Sequence, residues 1–281
     1  MKTRVLSAAV LLPVLLVIVL ALPAWGTAVL FAAACALGAY ELLYRTKLVQ
    51  ETRLVVYAMA AAFLTGLWGL SQDGTLARIG LALFSFVLFG ELLYSHAKLP
   101  FLKLCATAVA GLLVPYLLSA LVRIRAMTGP AGETSVGKFY ILICFILAFS
   151  ADTGAYFVGR AWGKHKLAPV ISPKKTVEGA IGGILSAIVV LELYGLILSH
   201  FFRYHVTYWY GIVYGLLGAV VSIVGDLTFS VIKRQVGIKD YSNLIPGHGG
   251  ILDRFDSMVT VAPLVEILLH VLPFAVPGGQ S

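Results

Sequence analysis

The chain has 281 residues, of which 60% are hydrophobic and only 12% charged, with a mean hydropathy of +0.94 and a net charge of +8. That much apolar surface excludes an ordinary soluble domain. In lipid, open sheets leave backbone groups unpaired, so the expected fold class is all-α and polytopic. Cys35, Cys105 and Cys144 have no paired spacing, which leaves no disulfide framework or zinc site to expect.

Apolar runs of about 18–25 residues are long enough to cross the hydrocarbon core. Nine are predicted, at 5–22, 26–43, 54–71, 77–94, 103–122, 138–159, 178–201, 208–232 and 256–275. None shows the period-two alternation of an outer-membrane barrel strand. The first run follows MKTR and ends in ALPAWG, which also fits a secretory signal; its length and the missing A-x-A site favour a retained helix. Sixteen of the 21 Lys and Arg residues fall on the side of the N-terminus and five on the other. The positive-inside rule then places the N-terminus in the cytoplasm and the C-terminus outside. The expected location is the cell's inner membrane, with the active site facing the cytoplasm.

Residues 1–137 read as five bland spans with short loops. Glu41 and Glu91 stand at inner span ends, where a carboxylate is expected to reach water. Residues 138–281 hold the clustered charge, including two cytoplasmic loops at 160–177 and 233–255.

The sixth span carries Asp152 in FSADTGAYFVGR. Gly154 and Gly159 have P-loop spacing, but no Lys-Ser/Thr follows and the segment ends a membrane helix. The next loop, GRAWGKHKLAPVISPKKTVEGAIGG, collects Arg160, Lys164, His165, Lys166, Lys174 and Lys175. It enters the seventh span through Ser172 or Thr176 as a cap, with Glu178 in the first turn. A helix N-terminus beside lysines is a seat for phosphate, although topology alone accounts for the same charge.

Asp226 lies in the eighth span, in SIVGDLTFSVIKR. Asp152 and Asp226 each stand about 10 Å before the inner end of their spans, at helical rise. Asp253 and Asp256 open the ninth span at that face, and Glu178 opens the seventh there. An ionised acid in hydrocarbon costs at least about 2.5–3.5 kcal/mol, so positive charge must offset it. Salt bridges to Lys233, Arg234 and Arg254 are one account. The other is a divalent metal, for which oxygen ligands without His or Cys favour magnesium, held by one or two carboxylates and substrate phosphate. Glu192 and Glu266 lie deeper and are expected to pair with hydroxyls or Tyr.

The last loop reads SVIKRQVGIKDYSNLIPGHGGILDRFDS. Gly247, Gly249 and Gly250 around His248 would let backbone approach a ligand closely. His248 is then a phosphate contact, the alternative being an ordinary solvated histidine. These features together describe metal-assisted phosphoryl or nucleotidyl transfer at a membrane surface. A cation- or proton-coupled transporter would instead place acids near the midplane and show inverted repeats. A polyprenol- or phytol-type lipid kinase would release a nucleoside diphosphate.

Ser230-x-Ile232-Lys233-Arg234, Lys239-Asp240-x-Ser242 and Ile245-Pro246-x-His248-Gly249-Gly250-Ile251-x-Asp253-Arg254-Phe255-Asp256 together resemble the signature of the phosphatidate cytidylyltransferases, also called CDP-diacylglycerol synthases. The likeness is strong over about 140–257, GKHKLAPVISPKKTVEG included, and extends to 1–137 only in hydropathy. It implies transfer of the cytidylyl group of CTP to phosphatidate, with pyrophosphate released, by a nine-helix, magnesium-dependent membrane enzyme that forms a homodimer and binds no nucleic acid. On this resemblance Asp226, Asp253, Asp256, Lys233 and Arg254 are catalytic, and Asp226, Asp253 and Asp256 are metal ligands, with Asp152 a further ligand. Two ions about 3.5–4 Å apart could clamp an in-line displacement. Lys174 and Lys175 would hold the CTP phosphates, with Ser172, Thr176, Lys239 and His248 as further contacts. Lys233, Arg234, Arg254 and Ser230 would meet the phosphatidate head group.

Overall fold

Apolar runs in a medium without water must satisfy their own backbone groups, and the helix does so within one segment. The computed structural model describes residues 13–70, 75–95, 99–129, 135–244 and 249–278. Six helices among them are long and apolar enough to cross a membrane. These are α1 (Ala24–Arg45), α2 (Thr52–Leu70), α4 (Phe101–Ala126), α5 (Val136–Trp162), α6 (Val177–Phe202) and α7 (Tyr208–Gln235). Each overlaps a predicted span. Between α2 and α4 lies α3 (Thr75–Tyr94), and after α7 come the short α8 (Leu252–Phe255) and α9 (Met258–Val271).

The predicted span 5–22 falls partly outside the described residues; 13–21 are helical. The predicted span 256–275 is shorter than expected. α9 has 14 residues, about 21 Å at helical rise, against a core of about 30 Å. Leu272 leaves the helix at φ −133° and ψ 74°. The chain then extends into β4 (Ala275–Pro277), which pairs antiparallel with β3 (Tyr204–Val206).

The chain divides into two compact units, one of residues 1–126 with 232–255, the other of residues 127–231 with 256–281. The division falls elsewhere than 137/138, because the described residues of 232–255 group with the N-terminal helices. In the first unit α1 and α2 pack closely. A Cβ on Gly66 would stand 2.6 Å from Ala32 Cα, so only hydrogen fits. Arg125 is buried and donates to the carbonyls of Val19 and Leu22 at 3.0 and 2.9 Å, which satisfies oxygens that a helix end leaves without partners. α1 closes in a π-turn, Glu41–Arg45.

In the second unit α5 and α6 form a helical hairpin. Their touching faces carry small residues. A Cβ on Gly154 would lie 2.4 Å from Ser186 Cβ, and one on Gly182 the same distance from Val158 Cβ. The glycines with P-loop spacing thus serve close helix approach, the use small residues find where lipid supplies no hydrophobic drive between helices. Tyrosines bond to carbonyls, the buried Tyr214 to Leu272 at 3.0 Å and the half-buried Tyr194 to Phe139 at 2.9 Å. Glu192 departs from expectation. Among the described residues both its carboxyl oxygens are buried without a hydrogen-bond partner, in the space left open beside Gly211.

Candidate functional site

The basic loop between α5 and α6 is not irregular. Lys166–Ala168 (β1) pairs antiparallel with Ser172–Thr176 (β2). β2 runs directly into α6, and Thr176, which is buried, caps it by accepting from Gly179 N–H at 3.1 Å. Of the two predicted caps, Thr176 therefore takes the role. Glu178 in the first turn reaches back and accepts from Lys164 N–H at 3.1 Å and His165 N–H at 3.2 Å, with His165 Nδ1 at 2.6 Å. Hairpin and helix start are thus tied to each other, which fixes the direction of the lysines on β2.

Lys175 points from β2 onto α7. Its ammonium lies 2.6 Å from Asp226 Oδ2, and Ser230 donates to Asp226 Oδ1 at 3.2 Å. Lys175 and Asp226 are each about one quarter exposed, at 25% and 26%. They line a cavity of about 260 Å³ together with Asp152, Tyr156, Thr176 and Ile223. The predicted metal ligand Asp152 therefore shares a pocket with Asp226. Lys174 is exposed and Ser172 half-buried on the same hairpin.

The other predicted residues lie in the first unit, apart from Asp256. Lys233 donates to Asp253 Oδ1 at 2.8 Å, with the two side chains only 10% and 2% exposed. Asp253 Oδ2 accepts from Tyr241 N–H at 2.8 Å and Gly250 N–H at 2.9 Å. The Lys233 ammonium also sits 5.4 Å from the centre of the Tyr241 ring, where a cation–π attraction adds to the pair. Arg234 is exposed and donates to Ile238 O at 3.1 Å. Lys239 and Arg254 are exposed. Asp256 is half-buried in the second unit, its Oδ1 accepting from Ser257 N–H at 2.8 Å. His248 and Gly247 lie outside the described residues.

Two expectations need correction. The space beside Gly249 and Gly250 is filled by the chain's own carboxylates. A Cβ on Gly249, where φ is +86°, would meet Asp253 Oδ2 at 2.9 Å, and one on Gly250 would meet both oxygens of Glu41 at 2.5 Å. Glu41 itself is 2% exposed and does not face water. It accepts from Ser242 Oγ at 2.5 Å, Ile251 N–H at 3.0 Å and Leu252 N–H at 2.8 Å. Glu91 is buried as well, 3.4 Å from Arg53. Spacing gave no sign of the Glu41 contacts, since the partners lie about two hundred residues further on.

The donor set bears on magnesium. Among the described residues no three or more His, Cys, Asp or Glu side chains form a group that could hold a metal ion. Magnesium needs fewer, because it takes one or two carboxylates and completes its shell with water and phosphate. Asp226 and Asp152, on one open pocket, fit that requirement. Asp253 fits less well, because its two oxygens already accept three hydrogen bonds and a carboxylate offers about four lone-pair positions.

A family model described as "Cytidylyltransferase family" matches residues 2–272. The phosphatidate cytidylyltransferases of Staphylococcus epidermidis and Staphylococcus saprophyticus are 47% and 45% identical to this chain over 135 residues, which is 48% of this chain and 50% of each relative. That of Staphylococcus aureus is 45% identical over the same length. The chain spans about half the length of the curated relatives it matches.

Proposed function

We propose that this chain, which belongs to the cytidylyltransferase family, transfers the cytidylyl group of CTP to phosphatidate. A phosphate oxygen of phosphatidate attacks the α-phosphorus of CTP. The bond from that phosphorus to the β-phosphate oxygen breaks, and pyrophosphate leaves with CDP-diacylglycerol as the lipid product. The observation that carries this reading is the Lys175–Asp226 pair, set in a cavity that also holds Asp152. The phosphatidate cytidylyltransferases above support the choice of nucleotide and lipid.

The nucleophile is already an anion, so the chain's task is to position reactants and neutralise charge. Lys174 and Lys175, on a strand locked to its helix through Thr176 and Glu178, meet the triphosphate, with Ser172 beside them. As Lys175 turns to phosphate it leaves Asp226 Oδ2 bare. Asp226 and Asp152 would then hold magnesium, which supplies neutralisation of the phosphate oxygens when bound. Ser230 keeps the Asp226 carboxylate oriented. In the first unit Asp253 fixes Lys233, while Arg234, Lys239 and Arg254 present exposed positive charge. Lys233, Arg234, Arg254 and Ser230 are assigned to the phosphatidate head group, and Lys239 and His248 to CTP.

The membrane reading goes with this. The chain crosses the cell's inner membrane several times with its N-terminus and the hairpin in the cytoplasm, and it works as a homodimer. Positive charge on the inner side supports that orientation. The test is purified protein in detergent with CTP, phosphatidate and magnesium. Pyrophosphate should appear only when both substrates are present, in equal amount to the lipid product. Release of a nucleoside diphosphate would favour a lipid kinase, and neither product in detergent together with solute uptake by the protein reconstituted in vesicles would favour a transporter.

A further inference from the structure

The structure assigns Glu41, in the N-terminal helix α1, as the positioning residue of the turn at 249–253, resting on the functional reading above. Glu41 stands where α1 turns from α-helix to π-helix. That widened turn is a common device at functional positions. Its carboxylate takes the N–H groups of Ile251 and Leu252 and the hydroxyl of Ser242. Asp253 takes the neighbouring N–H of Gly250 and that of Tyr241. Three successive backbone donors, at 250, 251 and 252, are thus shared between two carboxylates. One of these belongs to the loop and the other comes from α1. Gly250 lies against Glu41 without room for a Cβ, so the strand of backbone is pressed onto the acid.

The arrangement gives the N-terminal helices a chemical duty. Asp253 can hold Lys233 only while residues 250–253 keep their turn, and Glu41 grips the turn from outside the loop. Glutamine is nearly isosteric with glutamate, but its amide offers one acceptor oxygen in place of two. One of the two faces that meet N–H groups would become a donor facing a donor. Hydrogen bonds to charged groups are worth enough that losing one costs roughly ten- to a hundredfold in an equilibrium.

The experiment compares wild type, Glu41→Gln and Ser242→Ala in detergent. Amide hydrogen exchange is followed in a peptide covering 249–253 and in a control peptide covering 176–182, and cytidylyl transfer is measured with CTP and phosphatidate varied separately. Glu41→Gln should speed exchange at 249–253 by about tenfold or more, leave 176–182 unchanged, and lower kcat more than it raises either KM. Ser242→Ala should do the same to a smaller degree. Unchanged exchange at 249–253, or faster exchange with kcat intact, would overturn the proposal. So would equal loosening of both peptides, since Glu41 would then hold the fold at large. If wild type transfers no cytidylyl group, the functional reading fails, while the exchange comparison still decides whether Glu41 clamps the loop.

Discussion

Lys233 and Asp253 form an ion pair of 2.8 Å in which the lysine side chain is 10% exposed and the carboxylate 2%. Lys175 and Asp226 form one of 2.6 Å, but each member is about a quarter exposed, at 25% and 26%. The two pairs look alike in sequence terms and differ in physics. Burial makes the first structural as well as chemical, and access to solvent leaves the second free to exchange partners.

For the buried pair, removing one member should be costly. An uncompensated buried charge is worth about 3–5 kcal/mol of lost stability. Lys233→Met and Asp253→Leu should each lower the thermal midpoint in detergent strongly, and the double variant should recover part of that loss. Additive losses in a double-mutant cycle would mean that the two groups do not interact.

For the partly exposed pair, the fold should tolerate change, because such pairs contribute about 0–1 kcal/mol. Lys175→Ala should leave the midpoint nearly unchanged while raising KM for CTP about tenfold or more, the size expected for a lost charge-assisted contact. Asp226→Asn should instead lower kcat by about a hundredfold or more, as loss of a single electrostatic stabiliser does elsewhere. Steady-state kinetics with CTP varied separates these outcomes.

Thr176 supplies the cap of α6 through Gly179 N–H. Thr176→Ala should cost about 0.5–2 kcal/mol and also loosen the hairpin that carries Lys175. Thr176→Ser, which keeps the hydroxyl, should recover most of both. Thermal midpoints and KM for CTP, read together, check this.

Gly154 faces Ser186 at a distance no Cβ allows. Gly154→Val should push α5 from α6, and overpacking of this kind costs about 1–3 kcal/mol. The check is the thermal midpoint. A variant as stable as wild type would mean that the helices have slack there.

Metal removal is a separate matter. Exhaustive chelation should abolish transfer, and added magnesium should restore it. Activity that survives chelation would remove the ion from the account.

Much of the helical layout was legible because apolar runs without breaks have few other outcomes. That Asp152 and Asp226 line one pocket was partly legible too, since helical rise puts both at the same distance from the ends of their spans. The pairings were not. Lys233 stands on the same helix as Asp226 yet bonds Asp253, and Asp226 takes Lys175 from the hairpin instead. The salt-bridge account named Lys233 as a partner for the acids, and it did not name Lys175. Strand pairing within 166–176 left no period to read, since β2 carries Pro173, Lys174 and Lys175. Glu41 was read by its place at a span end, which says where the backbone stops and nothing about a loop some two hundred residues away. The role of Gly249 and Gly250 followed the same pattern. The need for a bare backbone was visible, but the group that approaches it is an acid of the same chain.

The most direct measurement uses CTP labelled at either the α- or the γ-phosphate, with purified protein and phosphatidate. The account predicts that the α-label enters the lipid and the γ-label leaves in pyrophosphate. A γ-label recovered in the lipid, or no label in the lipid from either position, would contradict it.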